Sequence, residues 1–192
     1  MDSTPWRSRV AALVEASLSR PRLVHSREVA RLACELCERF RVEEDKGYIA
    51  GIAHDLAREK EPSELLALCQ SDGLGLSDIE GQAPLLLHGR ASAFLLQRLA
   101  GYAEPEVLQA MRDHVTGRSG MGLLSRILFV ADFLEPTREF VSPEFRRRTS
   151  GLSLQEMVLA VLERKMHYVR VASGVLAPES LALHKELKEN AG

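Results

Sequence analysis

Apolar residues in this chain recur at spacings of three and four, and strict alternation between apolar and polar positions is not sustained anywhere. In residues 22–40, for example, Val29, Leu32 and Leu36 fall on one face of a helix. A period near 3.6 residues indicates amphipathic α-helices, whereas half-buried strands need a period of two. The pattern therefore predicts an all-α fold, a single compact helical bundle over residues 1–192.

Capping residues, prolines and glycines mark the expected helix ends. The first helix is expected to begin at Ser3 or Thr4, and a capping box at Ser153 is expected to start a long helix that Gly174 ends. The segment 137–150 is polar and is expected to form a loop. The other predicted helices occupy residues 22–40, 48–59, 62–70, 84–101, 105–117, 122–135 and the chain from 178 onward.

The composition is ordinary for a globular protein, with 45% hydrophobic and 27% charged residues. The net charge of −2 argues against a broad basic surface for nucleic acid. No apolar run approaches the roughly 20 residues that span a bilayer, and the N-terminal residues lack the apolar region of a signal peptide. We therefore expect a cytoplasmic protein, a monomer or a homodimer, without nucleic-acid or membrane partners.

Histidines and aspartates occupy positions where the apolar stripes call for core residues. In "YIAGIAHDLARE", residues 48–59, a His-Asp pair stands among apolar residues spaced as in a buried helix. Four further histidines and aspartates lie three, four, seven or eight residues from apolar residues, so they share a helical face with them. The six residues are His25, His54, Asp55, His88, His114 and Asp132. Because a buried charge without a partner is costly, these groups are expected to satisfy one another.

Four imidazoles and two carboxylates that share a core can satisfy one another by binding metal cations. Imidazole nitrogen and carboxylate oxygen together suit Fe, Mn or Zn better than Mg or Ca. On a helix, His54 and Asp55 would point about 100° apart, so both could bind one metal, or Asp55 could bridge two. The pattern predicts a metal site and leaves the number of ions and ligands open.

The order of these residues resembles that of the HD-domain metallophosphohydrolases. The motifs are "HS" at 25–26, "HDLA" at 54–57, "LLHG" at 86–89, "DHVTGRSGM" at 113–121 and "VADFLEPTR" at 130–138. They look like the YqeK-type branch, the bacterial symmetrical diadenosine tetraphosphate hydrolases, over roughly residues 20–185. The resemblance implies an HD-domain bundle that cleaves diadenosine tetraphosphate into two ADP with the help of bound metal.

The resemblance also implies roles for individual residues. The metal ligands would be His25, His54, Asp55 and Asp132, holding one or two iron ions, with Mn or Zn as alternatives. His88 and His114 would act with Asp55 in catalysis, facing the phosphates, or would hold a second metal. The implied nucleotide contacts are His25, Asp55, Arg58, His88, His114, Thr116, Asp132, Arg138, Val175, Pro178 and Ser180. Residues 20–140 would form the HD core, and helices in 150–190 would cover the nucleotide.

Cationic side chains are expected to bind the phosphates. The candidates are Arg58, Lys60, Arg118 and Arg138, of which Arg138 belongs to the motif "ADxxEPxR". Arg58 stands where the family usually has Lys, and Ser180 stands where it has Thr. Because Arg presents a planar fork and Lys a compact charge, phosphate contacts at Arg58 are expected to differ from those of the family.

Two other functions remain open alongside the tetraphosphatase. One keeps the metal but acts as a nucleotidase on nucleoside monophosphates or on another nucleotide. The other is a non-catalytic HD module that binds a nucleotide or a partner, which the complete set of six inward residues argues against.

Two further features are interpreted as structural. Cys34 and Cys37 have C-x-x-C spacing, but on a helix without a second pair they are expected to pack rather than to bind zinc. The basic run 144–150 is expected to lie on the surface.

Overall fold

The computed structural model describes residues 4–172 and 175–190. Within these ranges the chain forms eleven α-helices and no β-strand, which confirms the predicted all-α fold. The helices, numbered in chain order, are α1 (Thr4–Ser17), α2 (Arg20–Phe40), α3 (Glu44–Ala53), α4 (Pro62–Gln70), α5 (Asp78–Gln82), α6 (His88–Leu95), α7 (Pro105–Asp113), α8 (Leu123–Leu134), α9 (Pro143–Ser150), α10 (Leu154–Ala172) and α11 (Pro178–Glu189). The chain before α6, Pro84–Leu87, is a 3-10 turn, and Leu96–Ala100 after it is a π-turn.

The core lies between α2, α3, α7 and α8, and α10 closes it from one side. Fully buried side chains from each helix fill this space, each contributing about 1.5–3 kcal/mol by its removal from water. α2 and α3 approach closely because Gly51 has no side chain, since a Cβ there would lie 2.5 Å from the Cα of Ala30. None of the described helices is long and apolar enough to cross a membrane. The expected cap Ser3 and the expected stop Gly174 lie outside the described residues.

Two predicted helices end earlier than the sequence indicates, since the one predicted over 105–117 ends at Asp113 and the one predicted over 48–59 ends at Ala53. The pattern over 48–59 predicts a continuous helix, but α3 ends at Ala53 and the chain continues in turns. Nδ1 of His54 donates a hydrogen bond to the carbonyl of Gly51 at 2.7 Å. In a continuing helix that oxygen would accept from the amide of Asp55. The ring of His54 thus takes the carbonyl oxygen of Gly51 that a further turn of helix would use. The His-Asp pair therefore stands at the end of α3 rather than in its middle.

The segment predicted as a polar loop, residues 137–150, contains helix α9. The hydroxyl of Ser142 accepts a hydrogen bond from the amide of Phe145 at 3.2 Å, and Pro143 occupies the first turn. Phe145 and Thr149 are buried and lie four residues apart on one face. Two buried residues among three arginines make too weak an apolar stripe to indicate a helix from sequence.

The prediction that the basic run 144–150 lies on the surface is wrong for Arg146. Its guanidinium donates to four backbone carbonyls, at distances between 2.5 and 2.9 Å. The acceptors are the carbonyl oxygens of Leu134, Glu135, Arg138 and Val141. These bonds hold the turn after α8, the turn that carries the side chains of Glu135 and Arg138.

Candidate metal centre

The structure brings together all six inward residues that the sequence singles out. One comes from α2, two follow α3, one begins α6, one follows α7 and one lies in α8. They are, in this order, His25, His54 and Asp55, His88, His114, and Asp132. Each has a relative exposure of 8% or less. Six titratable groups therefore share one dry space at the middle of the bundle.

Each imidazole ring is held through its Nδ1 atom. Nδ1 of His54, His88 and His114 donates to the carbonyl three residues earlier, at 2.7, 2.6 and 2.8 Å respectively. Nδ1 of His25 lies 3.0 Å from Oε1 of Glu135. Since carbonyl and carboxylate oxygens only accept hydrogen bonds, each neutral ring carries its proton on Nδ1 and presents an unprotonated Nε2. Contacts of this kind orient metal-binding histidines in proteins.

The four Nε2 atoms face one another in two pairs. Those of His25 and His54 are 3.2 Å apart, and those of His88 and His114 are 3.1 Å apart. With the proton of each neutral ring on Nδ1, no proton lies between the paired nitrogens, and their lone pairs repel. A cation that binds both nitrogens of a pair removes this repulsion, so the donor set fits a metal.

Asp55 lies between the two pairs. Its Oδ2 is 3.6 Å from Nε2 of both His25 and His54. Its Oδ1 is 3.3 Å from Nε2 of His88 and 3.7 Å from that of His114. One carboxylate thus turns a different oxygen toward each pair, as a ligand shared by two ions would do.

Two sets of ligand atoms result, which we name group 1 and group 2. Group 1 consists of Nε2 of His25, Nε2 of His54, Oδ2 of Asp55 and Oδ1 of Asp132. Group 2 consists of Nε2 of His88, Nε2 of His114 and Oδ1 of Asp55. Oδ1 of Asp132 lies 3.3 and 3.6 Å from the two nitrogens of group 1. These mixed nitrogen and oxygen donors could hold a divalent metal, as the sequence predicts.

The electrostatics of the centre keep its carboxylates ionised. Burial favours the protonated form of Asp55, but the histidines that face it outweigh burial and hold its pKa well below the usual range. At Asp132 burial is outweighed in the same way, and the pKa is again well below the usual range. Burial lowers the pKa of His88 to about 3 and also lowers the pKa of His114. Group 2 therefore offers neutral imidazoles and an ionised carboxylate, the states that metal binding requires.

Glu135 is a buried carboxylate that the motifs contain but that sequence reasoning left without a role. Besides His25, it accepts hydrogen bonds from the amide of Thr137 at 2.6 Å and from its hydroxyl at 2.7 Å. Burial opposes ionisation of Glu135, yet the bonds from His25 and Thr137 lower its pKa. Burial likewise lowers the pKa of His25, but its hydrogen bonds to Asp132 and Glu135 outweigh burial and raise that pKa above its usual value. Glu135 thus fixes both the orientation and the charge preference of His25.

Three cationic side chains border the two inward carboxylates. Nη1 of Arg22 donates to Oδ2 of Asp55 at 2.7 Å. Nη2 of Arg138 donates to Oδ1 of Asp132, and its Nε donates to the backbone carbonyl of Asp132 at 3.1 Å. Nζ of Lys165 lies 3.9 Å from Oδ2 of Asp132. The three side chains are 25%, 27% and 23% exposed, so these cations also reach solvent.

Arg22 and Lys165 were not among the residues selected from the sequence. Arg22 precedes His25 by three residues, and Lys165 follows Val161 by four, so each shares a helical face with an inward side chain. This spacing of three and four residues is the sequence signal by which both residues could have been identified.

Two of the predicted phosphate-binding cations do not join the centre. The ammonium group of Lys60 pairs with an exposed glutamate at 3.1 Å. The guanidinium of Arg118 donates to Asp113 at 2.9 Å. Arg58 stays within electrostatic reach, because its charge is one of the effects that, after burial, lower the pKa of His88. Of the four candidates, only Arg138 forms hydrogen bonds to the inward carboxylates.

The turn that follows His114 is fastened to helix α11. The hydroxyl of Ser180 donates to the backbone carbonyl of Thr116 at 2.6 Å. Gly117 has a φ of +67°, which strains any residue with a side chain, and a Cβ there would lie 2.5 Å from Cδ2 of Leu183 and force that side chain to shift. Pro178 begins α11, and the side chain of Val175 is exposed. A cavity of about 160 Å³ lies beside this turn, lined by residues of the turn, of the chain from α5 to α7 and of the start of α11.

Comparison with known proteins agrees with this geometry. The model of the HD domain family matches residues 22–137, more than half of the chain. Two proteins named symmetrical bis(5'-nucleosyl)-tetraphosphatase, from Bacillus subtilis and Halalkalibacterium halodurans, are each 29% identical to the chain over 181 residues. The alignments cover 94% of this chain, and 97% and 96% of the two relatives.

A solved structure shares the fold along nearly the whole chain. It is described as a predicted HD superfamily hydrolase involved in NAD metabolism, from Clostridium acetobutylicum, and it matches with a TM-score of 0.90 at 27% identity. The match covers 95% of this chain and 97% of that one. The resemblance that the ordered motifs indicate is confirmed, and the chain belongs to the HD domain family.

Proposed function

We propose that this chain hydrolyses diadenosine tetraphosphate symmetrically, giving two ADP, with the help of bound metal. The observation that carries the proposal is the sharing of Asp55 between two sets of inward Nε2 atoms. The names of the two tetraphosphatase relatives support this substrate over a nucleoside monophosphate and over a non-catalytic module.

In this proposal group 1 holds one ion and group 2 holds a second. Iron is the proposed metal, and Mn and Zn fit the same donors. A bound metal supplies positive charge to phosphate oxygens and lowers the pKa of a coordinated water. His88 and His114 serve as ligands rather than as proton donors, since Nδ1 of each ring donates to a backbone carbonyl and its Nε2 faces Asp55 and the other ring.

Arg22 and Arg138 are the proposed phosphate contacts of this chain. A guanidinium carries five N–H donors, and each of these arginines spends only part of them on the inward carboxylates. Both side chains are about a quarter exposed, so the remaining donors face the space from which substrate arrives. Symmetrical cleavage places an inner phosphate at the metal centre, and the paired donors of Arg138 hold the ADP half that stays.

One nucleoside is proposed to bind where the turn after His114 meets the start of α11. The cavity there is lined by Thr116, Gly117 and Ala177 among others. The segment from Val175 to Ser180 is held against this turn by the hydroxyl of Ser180. The helices in 150–190 would in this way cover the nucleotide, while residues 20–140 supply the metal ligands.

The test is a product analysis over a panel of nucleotides. Protein loaded separately with Fe, Mn and Zn is incubated with diadenosine tetraphosphate, nucleoside monophosphates and other nucleotides, and the products are separated by chromatography. ADP as the single product of the tetraphosphate is the expected result. AMP together with ATP would place the attack on an outer phosphate and refute symmetrical cleavage. Turnover of monophosphates alone would favour the nucleotidase, and binding without turnover would favour the non-catalytic module.

A further inference from the structure

The side chain of Lys165 crosses from α10 to the metal centre, where neither the motifs nor the ligand sets give it a role. Its Nζ lies 3.0 Å from the carbonyl oxygen of His114 and 3.9 Å from Oδ2 of Asp132. It also lies 4.3 Å from the ring centroid of Phe129. His114 belongs to group 2 and Asp132 to group 1, so this one ammonium group stands beside both.

The contacts of Lys165 leave part of its donor capacity unused. An ammonium group has three N–H donors. The carbonyl of His114 takes one, and the face of the Phe129 ring attracts the positive charge without accepting a strong hydrogen bond. The distance of 3.9 Å to Asp132 is too long for a hydrogen bond. The side chain is 23% exposed, so Lys165 is not sealed from solvent.

The packing of α10 holds Lys165 in this place. Val158, Val161 and Leu162 lie on the same side of the helix and are buried in the core. The aliphatic stem of Lys165 therefore follows a fixed path, and its head group is preorganised before a ligand arrives. The carboxylate of Asp132 partly compensates the charge of this head group without accepting a hydrogen bond from it.

We propose that Lys165 is a catalytic residue that donates a hydrogen bond to a phosphate oxygen of the substrate. This inference rests on the proposed function, in which a water oxygen forms a bond to one inner phosphorus and the bond from that phosphorus to the bridging oxygen breaks. The electron pair of the broken bond stays on the bridging oxygen, which leaves with the departing ADP and whose negative charge grows as the bond lengthens. The proton that the attacking water loses passes to solvent. A fixed ammonium group near the bridging oxygen stabilises the growing charge more than it stabilises the ground state, so it accelerates the step.

The experiment compares Lys165→Met with Lys165→Arg and with a matched surface control, Lys188→Met. Lys188 lies on α11, is 54% exposed and pairs with Glu163 at 2.8 Å. For each variant the metal content, the thermal unfolding midpoint, the dissociation constant for ADP and the kinetics with diadenosine tetraphosphate are measured. The first two report structure, and the last two report contact with the nucleotide.

We expect Lys165→Met to keep its metal and its unfolding midpoint within the range of the control. Its kcat should fall about 100-fold, the size seen when one donor to a developing charge is removed, with a smaller change in KM. ADP should bind about tenfold more weakly, since a charge-assisted hydrogen bond is lost. Lys165→Arg should recover part of both, and Lys188→Met should match the wild type.

Failure of this inference can be told apart from failure of the proposed function. A wild-type protein that does not form ADP from the tetraphosphate overturns both. A wild-type protein that does form ADP, alongside a Lys165→Met variant of unchanged kcat and ADP affinity, overturns only the role of Lys165. Loss of metal in Lys165→Met would mean that Lys165 positions His114 or Asp132, and would overturn direct contact with substrate.

Discussion

Asp55 and Asp113 are equally buried, yet only Asp55 lies in the candidate metal centre. Each side chain is 3% exposed, and each residue adjoins a histidine near the end of a helix. Asp113 is surrounded by hydrogen-bond donors of the protein. The hydroxyl of Ser125, the amide of Gln109 and the guanidinium of Arg118 reach it at 2.7, 2.8 and 2.9 Å. Its charge is satisfied within the fold.

Asp55 faces a different set of neighbours. Arg22 donates to one of its oxygens, and the other four polar atoms around it are ring nitrogens at 3.3 to 3.7 Å. Nδ1 of each of these rings is already bound to a backbone carbonyl or to Glu135, so the nitrogens that face Asp55 are the ones left to bind a cation. Burial alone therefore does not tell a metal ligand from a structural carboxylate, whereas the donor or acceptor character of the neighbours does.

Replacing Asp55 by Ala should have the largest effect. The variant removes the ligand that groups 1 and 2 share, so we expect loss of bound metal and a fall in activity of more than about 100-fold. Elemental analysis and the tetraphosphate assay measure both. A variant that kept its metal and its turnover would show that Asp55 is not a ligand.

The matched change, Asp113→Ala, should have the opposite profile. It leaves the donors of Ser125, Gln109 and Arg118 without their acceptor, so we expect the free energy of unfolding to fall by about 2–4 kcal/mol. Denaturant unfolding measures the loss. Metal content and turnover of the folded fraction should stay close to wild type, and loss of metal here would remove the distinction between the two aspartates.

Glu135→Gln tests whether the partner of a ligand matters as much as the ligand. Gln has the same shape but no charge, so His25 loses the carboxylate that orients it and raises its pKa. We expect metal affinity to fall about 10- to 100-fold, measured by competition with a chelator. The unfolding midpoint of the metal-free protein serves as the control, and an unchanged affinity would contradict the role of Glu135.

Arg138→Lys should weaken turnover while leaving the metal bound. Lys keeps the charge but loses the paired donors that a guanidinium presents to a phosphate. We expect a decrease of about tenfold in turnover, with metal content equal to wild type. Equal turnover in both proteins would exclude a phosphate contact that depends on the guanidinium.

The smallest expected effect is a change of stability with pH. It concerns a second carboxylate that accepts its hydrogen bonds from the protein itself. Asp72 accepts two hydrogen bonds of 2.6 Å from Arg90. Burial opposes ionisation of Asp72, but the bonds from Arg90 outweigh burial and lower its pKa below the ordinary value of 3.8. When folding lowers the pKa of a carboxyl group, the ionised group stabilises the fold at pH values above its pKa in the unfolded chain. This stabilisation is lost as the pH falls through the pKa of the group in the folded protein.

We therefore expect metal-free Asp72→Asn to be less stable than the metal-free wild type by about 1 kcal/mol at neutral pH. The difference should stay constant down to the ordinary pKa of Asp and disappear below it. Denaturant unfolding at a series of pH values measures it. A difference that persisted in strong acid would mean that shape, not charge, holds Arg90 in place.

The sequence by itself determined the helical fold and the choice of six inward residues. Both follow from local spacing, since side chains three and four apart share a helical face wherever the helix packs. The ordered motifs also indicated the HD domain family. The sequence misjudged helix α9 and the end of α3, because Ser142 and the ring of His54 act through hydrogen bonds that the apolar spacing does not reveal.

The resemblance already implied how the six residues divide between groups 1 and 2, but only the tertiary structure decided how the oxygens of Asp55 are placed between them. The two oxygens of Asp55 are identical in the sequence, and helix packing turns one toward each pair of rings. Contacts across long chain separations also stayed out of reach, as with Glu135 and His25, which are 110 residues apart. Helical spacing gives the face on which a side chain lies, while its partner depends on how close two helices come, which the packing of the whole core sets.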